Sequence, residues 1–116
     1  MNKRAMFLIG LMLIFALGLA AKSQDNLITF NITPNPMDKR CNIELEFRVE
    51  TAITLTIMNQ EHEIIKTIYS GPVNKSASFT WEREDAMGQY VPAGTYIVVV
   101  NYLNRYTSTK KTLILK

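Results

Sequence analysis

The chain has 116 residues, 47% of them apolar, with 13 Lys+Arg against 10 Asp+Glu and a net charge of +3. That length allows one domain and no more, and a single cysteine excludes an internal disulfide. Lys3, Arg4 and Lys22 supply the whole basic excess, so the remainder carries no charge signature of nucleic-acid or anionic-membrane binding.

The first predicted element is a leader. Lys3 and Arg4 form a positive start, and Ala5 to Ala20 is an apolar run broken only by Gly10 and Gly18. Gly18-Leu19-Ala20 and Ala21-Lys22-Ser23 both fit the small-x-small cleavage pattern, so residues 1–23 read as a signal peptide cut near Ser23. Met6 to Ala21 falls short of the ~20 apolar residues that span a bilayer, and no integral span is expected after removal. Cys41 lies too far downstream to carry a lipoprotein anchor. Residues 24–116 are expected to form one small domain with a thin stability margin and no disulfide to widen it.

Leu27 to Thr33 reads as a strand stopped by Pro34-Asn35-Pro36, where proline cannot continue a ladder. Residues 42–50 alternate strictly: Ile43, Leu45, Phe47 and Val49 share one face, and Glu44, Glu46, Arg48 and Glu50 share the other. Cys41 has the parity of the apolar set and reads as a small core hydrophobe. Thr51-Ala52 is the expected connection to a strand carrying Ile53, Leu55 and Ile57, with Thr54 and Thr56 between them. A polar turn at 59–62 precedes a strand from Ile64 to Tyr69, and Ser70-Gly71-Pro72 is expected to break the chain. Ala77, Phe79 and Trp81 then alternate with Ser76, Ser78 and Thr80.

Turns at Asp85–Gly88 and at Pro92-Ala93-Gly94 lie between Trp81 and Tyr96, as in a chain that leaves one sheet for another. Tyr96 to Val100 is apolar on both faces, the pattern of a central strand. Asn104-Arg105 reads as a hairpin tip returning through Thr107 to Leu115. The result is an all-β fold, an immunoglobulin-like β-sandwich of about seven antiparallel strands.

Candidate chemistry is sparse. His62 is the only histidine, it falls in a turn, and no Gly-x-Ser-x-Gly elbow accompanies it. Neither a catalytic triad nor a transition-metal donor set can be assembled from it and Cys41. Glu82, Glu84 and Asp85 form the one candidate metal site, as oxygen ligands for calcium. Arg83 opposes that reading, and the alternative is a solvated turn in which Asp85 caps local N–H groups. Glu44, Glu46 and Glu50 read as a soluble face, lacking the unequal environments of an acid/base pair. Trp81, Tyr90, Tyr96, Tyr102 and Tyr106 offer either a sugar-stacking set or packing; a sandwich favours packing for Trp81, Tyr96 and Tyr102. The sequons at Asn31 and Asn74 are set aside because the leader looks bacterial. No enzyme activity and no cofactor are expected.

The order of several motifs is more specific than any one of them. Asn35-Pro36, the Ile43-x-Leu45-x-Phe47 strand and the Ile53-x-Leu55-x-Ile57 strand come first. Trp81, Asp85, Gly88, Val91-Pro92-Ala93-Gly94 and Tyr96 follow, and the chain ends Lys110-Lys111-Thr112-Leu113-Ile114-Leu115-Lys116. Over residues 27–116 this arrangement is similar to FlgD Ig-like domains, best known as type A C-terminal sorting domains of the Bacteroidetes type IX secretion system. Two departures stand out: His62 replaces a turn glycine, which histidine tolerates better than most residues, and Glu82-Arg83 replaces a common Asp-Gly pair.

The resemblance implies a non-enzymatic, exported protein-recognition module in the periplasm, at the outer-membrane surface or outside the cell. Its partner would be outer-membrane secretion machinery or a surface protein. Family members usually end a larger cargo protein, whereas here the domain is expected to stand alone. Under the sorting reading, contact falls on the last strand, Thr107 to Lys116, with Lys110, Lys111 and Lys116 as partner-binding residues. An edge strand's unpaired backbone can add to a partner's sheet; the same lysines could instead only blunt the edge. The rival readings are a carbohydrate-binding or adhesion module exposing planar aromatics, and a small proteinase-inhibitor-like β-sandwich.

Overall fold

The computed structural model describes residues 26–102 and 107–116. The expected leader, the hairpin tip at Asn104-Arg105 and Tyr106 lie outside the described residues. Seven strands follow in order: β1 (Leu27–Thr33), β2 (Cys41–Phe47), β3 (Thr51–Met58), β4 (Ile64–Val73), β5 (Ser76–Trp81), β6 (Gly94–Tyr102) and β7 (Thr107–Leu115). They form a 3-stranded sheet, β1-β2-β5, and a 4-stranded sheet, β4-β3-β6-β7, with every neighbouring pair antiparallel. This is the expected immunoglobulin-like sandwich.

Alternation in the sequence builds the two inner faces. Ile43, Leu45 and Phe47 of β2 meet Ile53, Leu55 and Ile57 of β3 and Val98, Val100 and Tyr102 of β6 in one buried cluster. Burying each aliphatic side chain contributes about 1.5–3 kcal/mol before entropy is charged against it. Three aromatic pairs join opposite sheets: Phe47–Tyr102 at 5.4 Å between centroids, Tyr69–Phe79 at 5.1 Å and Trp81–Tyr96 at 6.5 Å. β6 lies between β3 and β7, the central place its two apolar faces require. Among the described residues no helix is long and apolar enough to cross a membrane.

Two expected boundaries are corrected. β2 ends at Phe47, so Val49 does not join the inner face but is 50% exposed, and Thr51-Ala52 belongs to β3. The cause is loss of partners: β1 pairing stops at Leu27↔Phe47 and β5 pairing at Glu46↔Ser76. Ser70-Gly71-Pro72 does not break the chain either, since β4 runs through it to Val73. β4 is a sheet edge, where proline's missing donor faces outward. Gly71 has φ 151°, and a Cβ there would meet the Tyr69 hydroxyl at 3.0 Å. That close approach lets the Tyr69 hydroxyl donate to Pro72 O at 2.5 Å.

The alternation of strand direction gathers the β1–β2 connection, the β3–β4 turn, the β5–β6 connection and Lys116 at one end of the sandwich. This is called the upper end below.

Candidate interaction site

The β5–β6 connection is an ordered strut across the upper end. Trp81, 1% exposed at the end of β5, donates its indole N–H to Glu84 O at 2.9 Å. Arg83 follows with φ 61° and is 3% exposed. Its Nε donates to Val91 O at 2.9 Å, and its Nη1 donates to Asp38 O at 2.6 Å, tying the strut to the β1–β2 connection. The guanidinium also lies over the Tyr90 ring, 4.6 Å from the centroid. Tyr96, at the start of β6, donates its hydroxyl to Pro92 O at 2.7 Å, the tyrosine corner of immunoglobulin-like sandwiches. Burial raises the Tyr96 phenol pKa and Arg83 pulls the other way, so the hydroxyl keeps the proton it donates.

Two turns at this end are built alike. Asp85 Oδ1 accepts from Met87 N and Gln89 N, both at 2.9 Å, and Asp85 O accepts from Gly88 N at 3.0 Å. Asn59 repeats the pattern: Oδ1 accepts from Glu61 N at 3.0 Å and Glu63 N at 2.9 Å, and its O accepts from His62 N at 3.0 Å. The fourth position is left-handed in both, Gly88 with φ 81° and His62 with φ 66°. The expected replacement of a turn glycine by His62 is thus accommodated at an αL position. Left-handed backbone costs a non-glycine residue about 1–2 kcal/mol, and glycine's extra chain entropy offsets part of that. His62→Gly is therefore expected to raise stability by about 0.5–1 kcal/mol, read as a rise of a few degrees in the melting temperature.

Asp85 organises backbone N–H groups, and Glu84 pairs with Tyr90 through the backbone. Among the described residues no three His, Cys, Asp or Glu side chains gather as a metal site would need, so Glu82, Glu84 and Asp85 form no such group. Of the aromatics weighed as a sugar platform, Trp81, Tyr96 and Tyr102 are buried and Tyr90 is exposed.

Cys41 sits opposite Trp81 on β5 and is buried. Burial pushes its thiol from 9.0 up to about 11, against a smaller opposing hydrogen bond with the Trp81 backbone. The folded state therefore favours the neutral thiol. Its stabilising contribution is complete below pH 9.0 and is lost as pH rises toward about 11. At pH 8 the folded protein is expected to resist a thiol reagent that labels the urea-unfolded chain completely; rapid labelling without denaturant would contradict this.

The three lysines do not share one surface. Lys110 lies on the outer face of the 4-stranded sheet, where an open groove of about 540 Å³ runs past Thr54, Met58, Thr67, Val99 and Ser108. Lys111 has the opposite parity, and its Nζ stands 5.5 Å from the centroid of the Phe30 ring. Lys116 follows β7, with its N–H donating to Met37 O at 2.9 Å.

The outer edge of β7 is half closed. Asn35 Nδ2 donates to Thr112 O at 2.8 Å and Asn35 Oδ1 accepts from Ile114 N at 3.0 Å. Met37 N donates to Ile114 O at 2.8 Å. The Asn35-Pro36 motif and the fully buried Met37 thus occupy the place of a further strand, a role that local sequence patterns did not signal. The β6–β7 register runs without a shift, so Ser108 and Lys110 share the outward backbone parity of Thr112 and Ile114. They lie beyond the reach of this clamp.

The FlgD Ig-like domain family matches residues 36–105. No curated protein matches the chain. Among solved structures, dimeric latent PorU from Porphyromonas gingivalis is similar with a TM-score of 0.59 and 14% identity, over 74% of this chain and 9% of that one. PorZ from the same organism is similar with a TM-score of 0.54 and 16% identity, over 75% of this chain and 11% of that one. The chain thus spans a small part of either protein, and the likeness is one of fold. Over more than half its length it fits one family model, and it belongs to the FlgD Ig-like domain family.

Proposed function

We propose that residues 24–116 form an exported, non-enzymatic protein-recognition module that works with type IX secretion machinery or a protein displayed by it. The leader at 1–23 is removed in this reading, and the module acts beyond the inner membrane. Family membership and a fold shared with PorZ, an essential bacterial surface component of the type IX secretion system, support it. The observation that carries it is the β7 edge. Its C-terminal half is clamped by Asn35 and Met37, and Ser108 to Lys110 is the stretch where a partner's strand could add. Lys110 beside the groove is the first contact residue. Lys111 and Lys116 flank it without sharing its face.

A reporter fused ahead of residues 24–116, behind a cleavable export signal, tests this in a type IX-competent bacterium. The fusion is expected at the cell surface or in the medium, and in the periplasm once residues 107–116 are deleted. Lys110→Glu is expected to weaken surface delivery. A reporter that stays periplasmic with the tail intact sinks the sorting reading.

A further inference from the structure

Charge divides the two sheets. The strands of the 3-stranded sheet hold two charged side chains, Glu44 and Glu46 of β2, both exposed on its outer face. The strands of the 4-stranded sheet hold Lys66, Lys110 and Lys111 and no acid. Lys110 and Lys111 stand together just before the point where the Asn35–Met37 clamp begins. β6 beside them and β1 across the sandwich carry no charged residue. The one acid of the β1–β2 connection, Asp38, lies near Arg83 and is followed by Lys39 and Arg40. At the far end of the sandwich, Arg48 and Glu50 on the β2–β3 connection offset each other. Both lysines of β7 are exposed, but they do not share a face. Lys110 pairs with Val99 and lines the outer groove, whereas Lys111 pairs with the core residue Val98 and reaches over the Phe30 ring of β1.

We propose that the open half of β7 receives an extended acidic segment of a protein partner, with two adjacent carboxylates, one for Lys110 and one for Lys111. This rests on the β7 edge as the recognition site and not on the type IX assignment. In a strand added to β7, the residue opposite Lys110 shares its outer face, and the residue opposite Lys111 points toward β1. Side chains of the added strand alternate in the same way, so only neighbouring acids reach both lysines. Acids spaced i, i+2 fall on one face and meet one lysine at most. Ser108 and Lys110 present the outward backbone of this stretch, so main-chain bonds supply affinity and the carboxylates select the partner. Asn35 already bonds Thr112 O, so the added strand has to end beside Lys111, which sets its register. No acid on β1, β3, β6 or β7 competes for either ammonium.

Displayed random peptides of about ten residues, selected on the protein, provide the test, since a strand of that length covers the open half of β7. Enriched peptides are expected to carry adjacent Asp/Glu pairs and to bind more weakly as salt rises. Moving one acid by a single position is expected to weaken binding about two- to fivefold, the effect of one cross-strand charge pair. Lys110→Gln and Lys111→Gln should each weaken the adjacent-acid peptide by a similar factor and erase its advantage over the separated-acid peptide. The Lys110→Glu, Lys111→Glu double variant should select Lys/Arg pairs instead. Ser108→Pro removes an outward N–H while leaving the ladder to β6, and should weaken all of these peptides. Circular dichroism checks that every variant keeps the fold. Acid-free peptides that Ser108→Pro weakens would overturn the acidic partner and leave the β7 edge as the recognition site. Peptides indifferent to Ser108→Pro would count against the edge itself. Separated acids that bind as well as adjacent ones, or no enrichment, would also overturn the proposal.

Discussion

Replacing Arg83 with alanine is expected to remove about 3 kcal/mol of stability, a drop of roughly 15 °C in melting temperature for a domain of this size. The guanidinium donates to two backbone carbonyls, Val91 O at 2.9 Å and Asp38 O at 2.6 Å, from a position 3% exposed. Hydrogen bonds from a charged donor are worth about 1.5–3 kcal/mol each, and a buried carbonyl left without a partner keeps its desolvation cost. The stack on Tyr90 adds about 0.5–1 kcal/mol at an exposed ring. The Asp38 carboxylate adds little, being 3.9 Å away with its side chain 69% exposed.

Backbone strain separates the variants. Arg83 has φ 61°, which alanine must also adopt and glycine adopts freely. Arg83→Gly is therefore expected to be less damaging than Arg83→Ala by about 1 kcal/mol, although both lack the side chain. Lysine keeps the charge but cannot donate in two fixed directions, and should fall between alanine and arginine. Urea unfolding of the three variants measures the order. A loss below about 1 kcal/mol for alanine would mean that water replaces the guanidinium at both carbonyls.

Alternation made most of the fold legible. The period-2 patterns of β2, β3 and β5 and the two apolar faces of β6 are local properties, and each strand appears where its pattern requires. Strand ends were less legible because neighbours set them. Val49 continues the β2 pattern, but no strand remains beside it to pair with. Gly71-Pro72 would break a central strand, yet only pairing shows that β4 is an edge. The β7 clamp joins residues 77 and 79 positions apart, so Asn35-Pro36 reads locally as a stop and nothing more. Arg83 counted as a competing charge in a solvated turn because its burial depends on the β1–β2 connection reaching over it. An Asx residue followed three positions later by His or Gly occurs at Asn59 and at Asp85, and both build the same turn. Parity alone also places Lys110 and Lys111 on opposite faces.

Asn35→Ala is expected to cost about 2 kcal/mol and to change what the C-terminal strand exposes. Its amide bonds both a carbonyl and an N–H of β7 near the surface, each worth about 0.5–1.5 kcal/mol. The backbone exchange between Met37 and the residues around Leu115 loses its guide as well. Aspartate is no substitute: it keeps the acceptor for Ile114 N but turns a carboxylate oxygen toward Thr112 O, so Asn35→Asp should be at least as damaging. Amide hydrogen exchange at Ile114 and Lys116 should quicken in both variants, while Leu113, on the β6 side of the ladder, changes least. Opening the edge has a second consequence. β7 would then present an outward row from Ser108 to Lys116, and unpaired edges of that length template pairing with another chain. Concentration-dependent association of Asn35→Ala, suppressed by a proline at Thr112, would identify Asn35 as the residue that confines partner access to the N-terminal half of β7. If Asn35→Ala stays monomeric with unaltered exchange at Ile114 and Lys116, the lysines alone guard the edge and the clamp has no part in restricting it.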